Sequence, residues 1–373
     1  MPNRITYCHL LAIIGLFCFP ALSQSANVKT LDIGSAAPDF SLPGVDGKTH
    51  ALKDFADAKI LCVIFTCNHC PTAQAYEQRI IDLYKDYHDK GVALVAINPN
   101  SPAAIRLDEL GYSDISDSLD EMKVRAKERN FPFHYLYDGD SQKVAHAYGV
   151  LATPHVFIFD AQRKLRYNGS IDDSEVKTVT KRYARDAIDA LLAGKPVAVE
   201  KTRVFGCSTK WIEKEDGAKK QIEKWNAEPV EIKEIDAKGI AALAANDSKN
   251  LRLINVWATW CGPCTAELPE LAAFRHRFRT REFELITLSI DDVAKKDAAL
   301  KVLQEDHAAG ANYLYSADDK NALASALDKE WPGPVPYTLL IAPGGKVIYR
   351  HSGEINGGEL MKAILDYLGR TYK

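Results

Sequence analysis

The chain runs twice through the same order of patterns. An apolar, β-branched run is followed by a segment with helical apolar spacing, and the alternation then repeats toward a hairpin and a closing helix. Leu61-Cys-Val-Ile-Phe and Gly91-Val-Ala-Leu-Val-Ala-Ile read as buried strands, since short continuous apolar runs fit strands covered on both faces. From Pro71 through Tyr87, Ala75, Ile80, Leu83 and Tyr84 follow helical spacing. The pattern predicts helices from Leu119 to Arg129, Val144 to Tyr148 and Val179 to Leu192, with a strand from Phe133 to Tyr137. Val156-Phe-Ile-Phe and Leu165-Arg-Tyr form a hairpin around Asp160-Ala-Gln-Arg.

A second set follows. Val230 to Ile235, Leu251 to Trp257, Phe283 to Ile290 and Tyr313 to Tyr315 read as strands. Helical spacing runs from Cys261 to Phe278, near Leu300 and near Leu327. A hairpin, Pro336 to Ile341 and Val347 to Tyr349, and a helix from Gly358 to Leu368 close the unit. Alternating strands and helices with a terminal hairpin imply an α/β fold: two three-layer α/β/α domains, each with a mixed central sheet. The expected division is residues 28–200, a connector at 201–228, and residues 229–373, a distant internal duplication.

Length agrees, because 373 residues fit about two domains. A net charge of −3 and the absence of basic blocks argue against a nucleic-acid partner. The N-terminus stands apart. Arg4 precedes the apolar run from Leu10 to Phe19, and Ala21-Leu-Ser23 follows Pro20. This reads as a signal peptide over residues 1–26, making the protein periplasmic or secreted. An uncleaved membrane anchor is the alternative.

Of eight cysteines, Cys8 and Cys18 fall in that leader. The others are Cys62, Cys207 and two pairs, Cys67-Asn-His-Cys70 and Cys261-Gly-Pro-Cys264. Each pair sits between an apolar strand and a helix. Thiols three residues apart at a helix N-terminus can close a disulfide, and the helix dipole favours a thiolate there. The expected chemistry is dithiol–disulfide exchange. In an oxidising compartment such a pair acts as an oxidant or needs an outside reductant.

The second unit resembles the thioredoxin-fold disulfide reductases of the TlpA/ResA-like group. The resemblance rests on Trp257-Ala-Thr-Trp-Cys-Gly-Pro-Cys264, Glu267, Pro269 and Val335-Pro336-Tyr. It implies Cys261 as nucleophile, Cys264 as resolving thiol, Pro336 as the facing cis-proline, and Val335 as a backbone partner for a substrate chain. It also implies that Glu267 is a buried acid exchanging protons with Cys264; an exposed helix glutamate is the alternative. Thioredoxin itself has an aspartate where Asn255 stands here, which favours the Glu267 route.

The first unit resembles the AhpC/TSA-like redoxins of the branch reading Phe65-Thr-Cys-Asn-His-Cys-Pro71. The likeness runs from Gly34-Ser-Ala-Ala-Pro-Asp-Phe40 through Thr153-Pro-His-Val-Phe-Ile-Phe-Asp160 to Gly206-Cys-Ser-Thr-Lys-Trp211. It implies that Pro154 is a second cis-proline. Peroxiredoxins carry a threonine three residues before the peroxidatic cysteine. Cys67 takes that place if the reactive residue is Cys70, and Ile64 if it is Cys67. Thiol–disulfide exchange is therefore expected over thiol-dependent peroxidase activity. His69 is expected to stabilise a Cys67 thiolate, making this pair more oxidising than the second.

A copper-carrier reading uses Cys67, Cys70 and His155, since thiolates and imidazole suit copper, and resembles SCO-type proteins. Cys207 is either an unpaired thiol or a resolving partner for Cys67, and Cys62 belongs to the core. Asp172, Asp173 and the acidic stretch from Asp114 to Glu121 read as solvated. The expected partners are protein thiols and disulfides and an external electron donor or acceptor, a membrane redox protein being one candidate. No organic cofactor is expected.

Overall fold

The structure, a computed structural model, describes residues 28–372. The expected signal segment lies outside them. The first sheet has five strands in the order His134–Tyr137, Val92–Asn98, Ile60–Phe65, His155–Phe159 and Leu165–Gly169. The first three are parallel; the last two run antiparallel as the expected hairpin. The second sheet repeats the plan with six: Lys233–Ile235, Ala311–Tyr315, Phe283–Ser289, Leu251–Trp257, Tyr337–Ala342 and Lys346–Ser352. Its first four strands are parallel and its hairpin antiparallel.

Successive residues of a strand point to opposite faces, so each central strand feeds two cores. Cys62 and Ile64 pack with Tyr76 and Ile80 of the helix Pro71–Tyr87. Leu61, Val63 and Phe65 face Val144, Tyr148 and Phe157. In the second unit Leu253 and Trp257 meet Leu268 and Leu271 of the helix Gly262–Phe278, while Ile254 and Val256 meet Leu323 and Leu327. Burying each such large apolar side chain contributes about 1.5–3 kcal/mol.

Some elements have no counterpart in the sequence reading. A small antiparallel ribbon joins Ser41–Pro43 to Thr49–Ala51, and a helix spans Ala237–Ala245. Within the expected connector, Cys207–Ser208 pairs with Ala152–Thr153; the charged helical stretch that the sequence shows there through Trp225 forms the helix Glu215–Asn226, which packs near the first unit. The acidic segments also differ from expectation. Asp172 is buried, accepting from Tyr76 and Arg79, and Asp117 is buried beneath the first cysteine loop. In each case the carboxylate repays its desolvation by accepting several hydrogen bonds.

The two units dock through the end of the helix Gly262–Phe278. Arg277 Nε donates to the Leu110 carbonyl at 3.1 Å. Arg281 lies over the Tyr112 ring at 3.8 Å and donates to the carbonyls of Gly111, Leu368 and Gly369. A Cβ at Gly111 would meet the Arg277 carbonyl oxygen at 2.7 Å, so glycine permits the approach.

Candidate active sites

The strand Leu251–Trp257 delivers the chain to the loop Ala258-Thr-Trp-Cys261. A buried carboxylate holds that loop. Thr259 donates its N–H to Asp291 Oδ2 at 2.9 Å and its hydroxyl to Oδ1 at 2.7 Å. Cys261 is the N-cap of the following helix, with Pro263 in the first turn, where proline's missing N–H costs little. The Cys264 N–H donates to Cys261 Sγ at 3.3 Å. Once the disulfide is reduced, that bond and the helix dipole favour a Cys261 thiolate. Cys261 and Cys264 are joined here, S–S 2.04 Å. Cys261 is 7% exposed and Cys264 fully buried, so an incoming sulfur meets Cys261. Cys261 Sγ lies 3.7 Å from the carbonyl oxygen of Val335, and the Val335–Pro336 peptide is cis. Trp260 beside it is 68% exposed.

Glu267, one helical turn beyond Cys264, is buried. Its oxygens accept from Asn255 Nδ2 at 2.6 Å and from the Ile355 N–H at 3.0 Å. Burial raises its pKa above the usual carboxylate range, and those bonds offset only part of the rise. Asn255 also donates to Thr338 Oγ1 at 3.0 Å. The residue replacing thioredoxin's aspartate therefore clamps Glu267. Sequence reasoning missed this clamp and the Asp291 brace. The asparagine departure was the only visible signal of the first.

In the first unit the helix begins at Pro71, and its N-cap is Cys70 rather than Cys67. The second thiol thus takes the helix-capping place that the first thiol holds in the other unit. Cys67 Sγ shares a hydrogen bond with Thr153 Oγ1 at 3.0 Å, and Cys70 Sγ lies 3.5 Å from the Thr153 carbonyl oxygen. The Thr153–Pro154 peptide is cis. Asp117 braces the loop from below, accepting from the backbone N–H groups of Asn68 (2.7 Å) and His69 (3.3 Å), from Asn100 Nδ2 (2.8 Å) and from His69 Nδ1 (2.6 Å).

The electrostatics depart from the expectation of a Cys67 thiolate. Burial alone would lower the pKa of His69, but the charge and hydrogen bond of Asp117 outweigh it and raise the value. Burial likewise opposes ionisation of Cys70. The neighbouring Cys207 and Cys67 thiols, the His69 charge and the Ala73 N–H at the helix start overcome it and lower the Cys70 pKa. Cys67 has its pKa raised by burial, by its bond to Cys70 and by the Asp117 charge. Within this buried group, the neighbouring thiols and the His69 charge favour ionisation at Cys70 over Cys67.

His155 does not join the cysteines in a ligand set. It lies on the strand beyond Pro154, buried, with Nδ1 accepting from the Leu151 N–H at 3.4 Å. Burial lowers its pKa to about 3. Among the described residues, the groups whose donor atoms approach one another are Cys67, His69 and Asp117, and Asp46, His50 and His134. In the first, His69 Nδ1 is bonded to Asp117 while His69 Nε2 is buried without a partner. The alternative copper set of Cys67, Cys70 and His155 is not among those groups, and the His155 ring packs against Phe157.

A cleft of about 400 Å³ opens onto the first site. It is lined by His69, Pro71, Tyr112 and Cys207 and, from the second unit, Thr280 and Tyr372.

Two mixed sheets of this order, each leading into a Cys-x-x-Cys pair at a helix start beside a cis-proline, are two redoxin domains of the thioredoxin superfamily. The chain belongs to the AhpC/TSA family, whose model matches residues 33–168 and again 220–350. Among curated proteins it is similar to the thiol-disulfide oxidoreductase ResA of Bacillus subtilis (strain 168). That likeness is 26% identity over 127 residues, covering 34% of this chain and 60% of the relative. It is also similar to the thiol:disulfide interchange protein DsbE of Vibrio cholerae, 37% identical over 107 residues, covering 28% of this chain and 50% of the relative. The chain thus spans about three fifths of the ResA relative. Among solved structures, an uncharacterized conserved protein from Geobacillus kaustophilus is 39% identical with a TM-score of 0.44. That match covers 48% of this chain and 92% of the neighbour. The ResA and DsbE relatives are both named for thiol–disulfide exchange. Among the described residues no helix is long and apolar enough to cross a membrane.

Proposed function

We propose that the chain is an exported thiol–disulfide oxidoreductase with two chemically different Cys-x-x-Cys centres, the second reducing protein disulfides. The supporting observation is the Cys261 sulfur at the helix N-cap, 3.7 Å from the carbonyl that precedes a cis-proline and beside an exposed tryptophan. The reduced Cys261 thiolate attacks one sulfur of a substrate disulfide, and the other sulfur leaves as a thiolate that takes up a proton. Cys264 passes its proton to Glu267 and attacks Cys261. The remaining substrate sulfur departs as a thiolate and takes the proton back from Glu267, and the Cys261–Cys264 disulfide forms. An external two-electron donor, such as a membrane redox protein, resets the pair, and no organic cofactor takes part.

The first centre is the more oxidising in this reading. Stabilising the Cys70 thiolate favours the reduced form and so raises the reduction potential. The working units are residues 28–200 and 229–373, joined by 201–228. The apolar leader from Leu10 supports export to the periplasm or beyond; an intact Met1 on protein recovered from that fraction would contradict cleavage.

Insulin-disulfide reduction tests the main reading. Cys261→Ser is expected to abolish it, and full retention would move the activity elsewhere. A second reading, thiol-dependent peroxidase, is favoured by one observation: the acidic Cys70 caps a helix beginning at Pro71. Peroxide consumption lost in Cys70→Ser would support it; no consumption by the wild-type chain would remove it.

A further inference from the structure

The segment carrying Cys207 is built into the first site. Cys207–Ser208 pairs antiparallel with Ala152–Thr153, in the register Thr153↔Cys207 and Ala152↔Ser208. Thr153 is the residue before cis-Pro154, the backbone position that in a thioredoxin fold is available to an extended substrate chain. In the second unit the corresponding Val335 lies outside the strand Tyr337–Ala342, and among the described residues no strand pairs with it. In the first unit the chain itself fills the position.

The fit is specific. Gly206 has φ 142°, and a Cβ there would stand 2.1 Å from the Thr153 carbonyl oxygen and 3.3 Å from the Pro154 nitrogen. Only glycine allows the segment to lie on the cis-proline peptide. Beyond Cys207 the chain is clamped. The Lys210 N–H donates to Asn100 Oδ1 at 2.9 Å, and its carbonyl accepts from the Ser101 N–H at 3.0 Å and from Gln142 Nε2 at 2.8 Å. Lys210 Nζ pairs with Glu109 at 2.7 Å, and Trp211 stacks on His146 at 4.1 Å. Those anchors hold the Cys207 side chain against Cys67, Cys70 and Ala73. That side chain packs directly against the cysteine cluster and lines the cleft that opens onto it.

We propose that Cys207 is the third redox-active thiol of the first unit, seated where a substrate cysteine would lie and exchanging with the Cys67–Cys70 disulfide. The proposal rests on Cys67 and Cys70 forming a dithiol centre. An external disulfide, such as oxidised glutathione, first oxidises that pair and is itself reduced. The Cys207 sulfur then attacks Cys70 Sγ. The Cys67–Cys70 bond breaks, a Cys70–Cys207 bond forms, and Cys67 leaves with the electron pair and takes the proton that Cys207 releases. No net electrons move in this exchange. The Cys70–Cys207 form frees Cys67 and keeps the cis-proline edge covered, so a protein substrate reaches this centre only by displacing the segment.

Disulfide mapping of the full chain tests this. The protein is oxidised with oxidised glutathione, quenched in acid, alkylated, cut with trypsin and read by mass spectrometry. In Cys67→Ser, the tryptic peptides 60–79 and 204–210 are expected to be linked, with fragment ions placing the bond at Cys70 rather than Cys62. Gly206→Val, which keeps every thiol but lifts the segment, is expected to lower the Cys70–Cys207 bond several-fold in the wild-type thiol background. Folded Cys67→Ser protein in which Cys70 and Cys207 do not join would overturn the proposal. An undiminished bond in Gly206→Val would overturn its placement on the cis-proline edge. Failure of the underlying dithiol reading shows separately, as absence of a Cys67–Cys70 bond in Cys207→Ser, and would remove the exchange step with it.

Discussion

His69 Nδ1 and Asp117 Oδ2 lie 2.6 Å apart, and both side chains are buried beneath the first cysteine loop. This pair links the loop's geometry to its chemistry. The same carboxylate that holds the Asn68 and His69 backbone raises the His69 pKa, and the imidazolium in turn lowers that of Cys70.

Asp117→Asn should therefore act on both stability and thiol acidity. Removing one partner of a buried charged pair costs about 3–5 kcal/mol. His69 has a raised folded pKa, so its share of stability is complete below its unfolded value and is lost as pH rises through the folded one. Asp117 has a lowered folded pKa, so its share is present above its unfolded value and is lost as pH falls through the folded one. The wild-type advantage in urea denaturation should be largest from about pH 4 to 6.5. Ultraviolet thiolate titration should show a higher Cys70 pKa in the variant. An unchanged thiol titration would disconnect His69 from Cys70.

Glu267→Gln should remove the proton acceptor while keeping the Asn255 and Ile355 neighbourhood filled. Mixed-disulfide resolution by Cys264 is expected to slow by about 100-fold, the lower end of the range for a lost acid–base group. Its dependence on pH around the raised Glu267 pKa should flatten. The wild-type chain should also lose stability as pH rises through that pKa, because a raised folded value stabilises only below it. Stopped-flow thiol release and denaturation across pH separate the two effects. A variant with the wild-type pH profile would leave Glu267 outside the proton route.

Trp260 makes a different prediction, because its side chain is mostly in solvent. Trp260→Ala should change stability by no more than about 0.5 kcal/mol, as for other exposed positions. Losing an aromatic contact beside Cys261 should nevertheless raise KM for a protein disulfide and leave reaction with a small disulfide almost unchanged. Equal loss on both substrates would argue for a role in the loop rather than in substrate contact.

The docked units keep the two centres apart. Cys261 caps one end of the helix Gly262–Phe278, while the first site's cleft meets Thr280 just past the other end. Seventeen helical residues at about 1.5 Å each span roughly 25 Å. A disulfide needs Cα atoms about 4.4–6.8 Å apart. Cys264→Ser should therefore trap no bond from Cys261 to Cys67 or Cys70 within one chain. Any such bond should appear as a disulfide-linked dimer on non-reducing gels and increase with concentration. A concentration-independent internal bond would mean that the docked arrangement opens.

What was legible from residues alone was local. Apolar periodicity placed the helices Pro71–Tyr87 and Leu119–Arg129 and the central strands, because strand and helix periods depend on neighbours a few residues away. The two Cys-x-x-Cys pairs and their prolines stood out for the same reason. Tertiary structure alone decided what those pairs touch. Asp117 looked like part of a solvated acidic stretch until folding placed it under His69, 48 residues away in sequence. Asn255 became the clamp of Glu267 only when its strand met the helix. The balance between the Cys67 and Cys70 thiols depends on Cys207 and His69, which folding brings beside Cys70. Cys207, 137 positions after Cys70, reached it through a two-residue strand on the cis-proline edge. Charges and thiols brought together across such separations leave no periodic mark along the chain, since they meet through packing rather than through neighbouring positions.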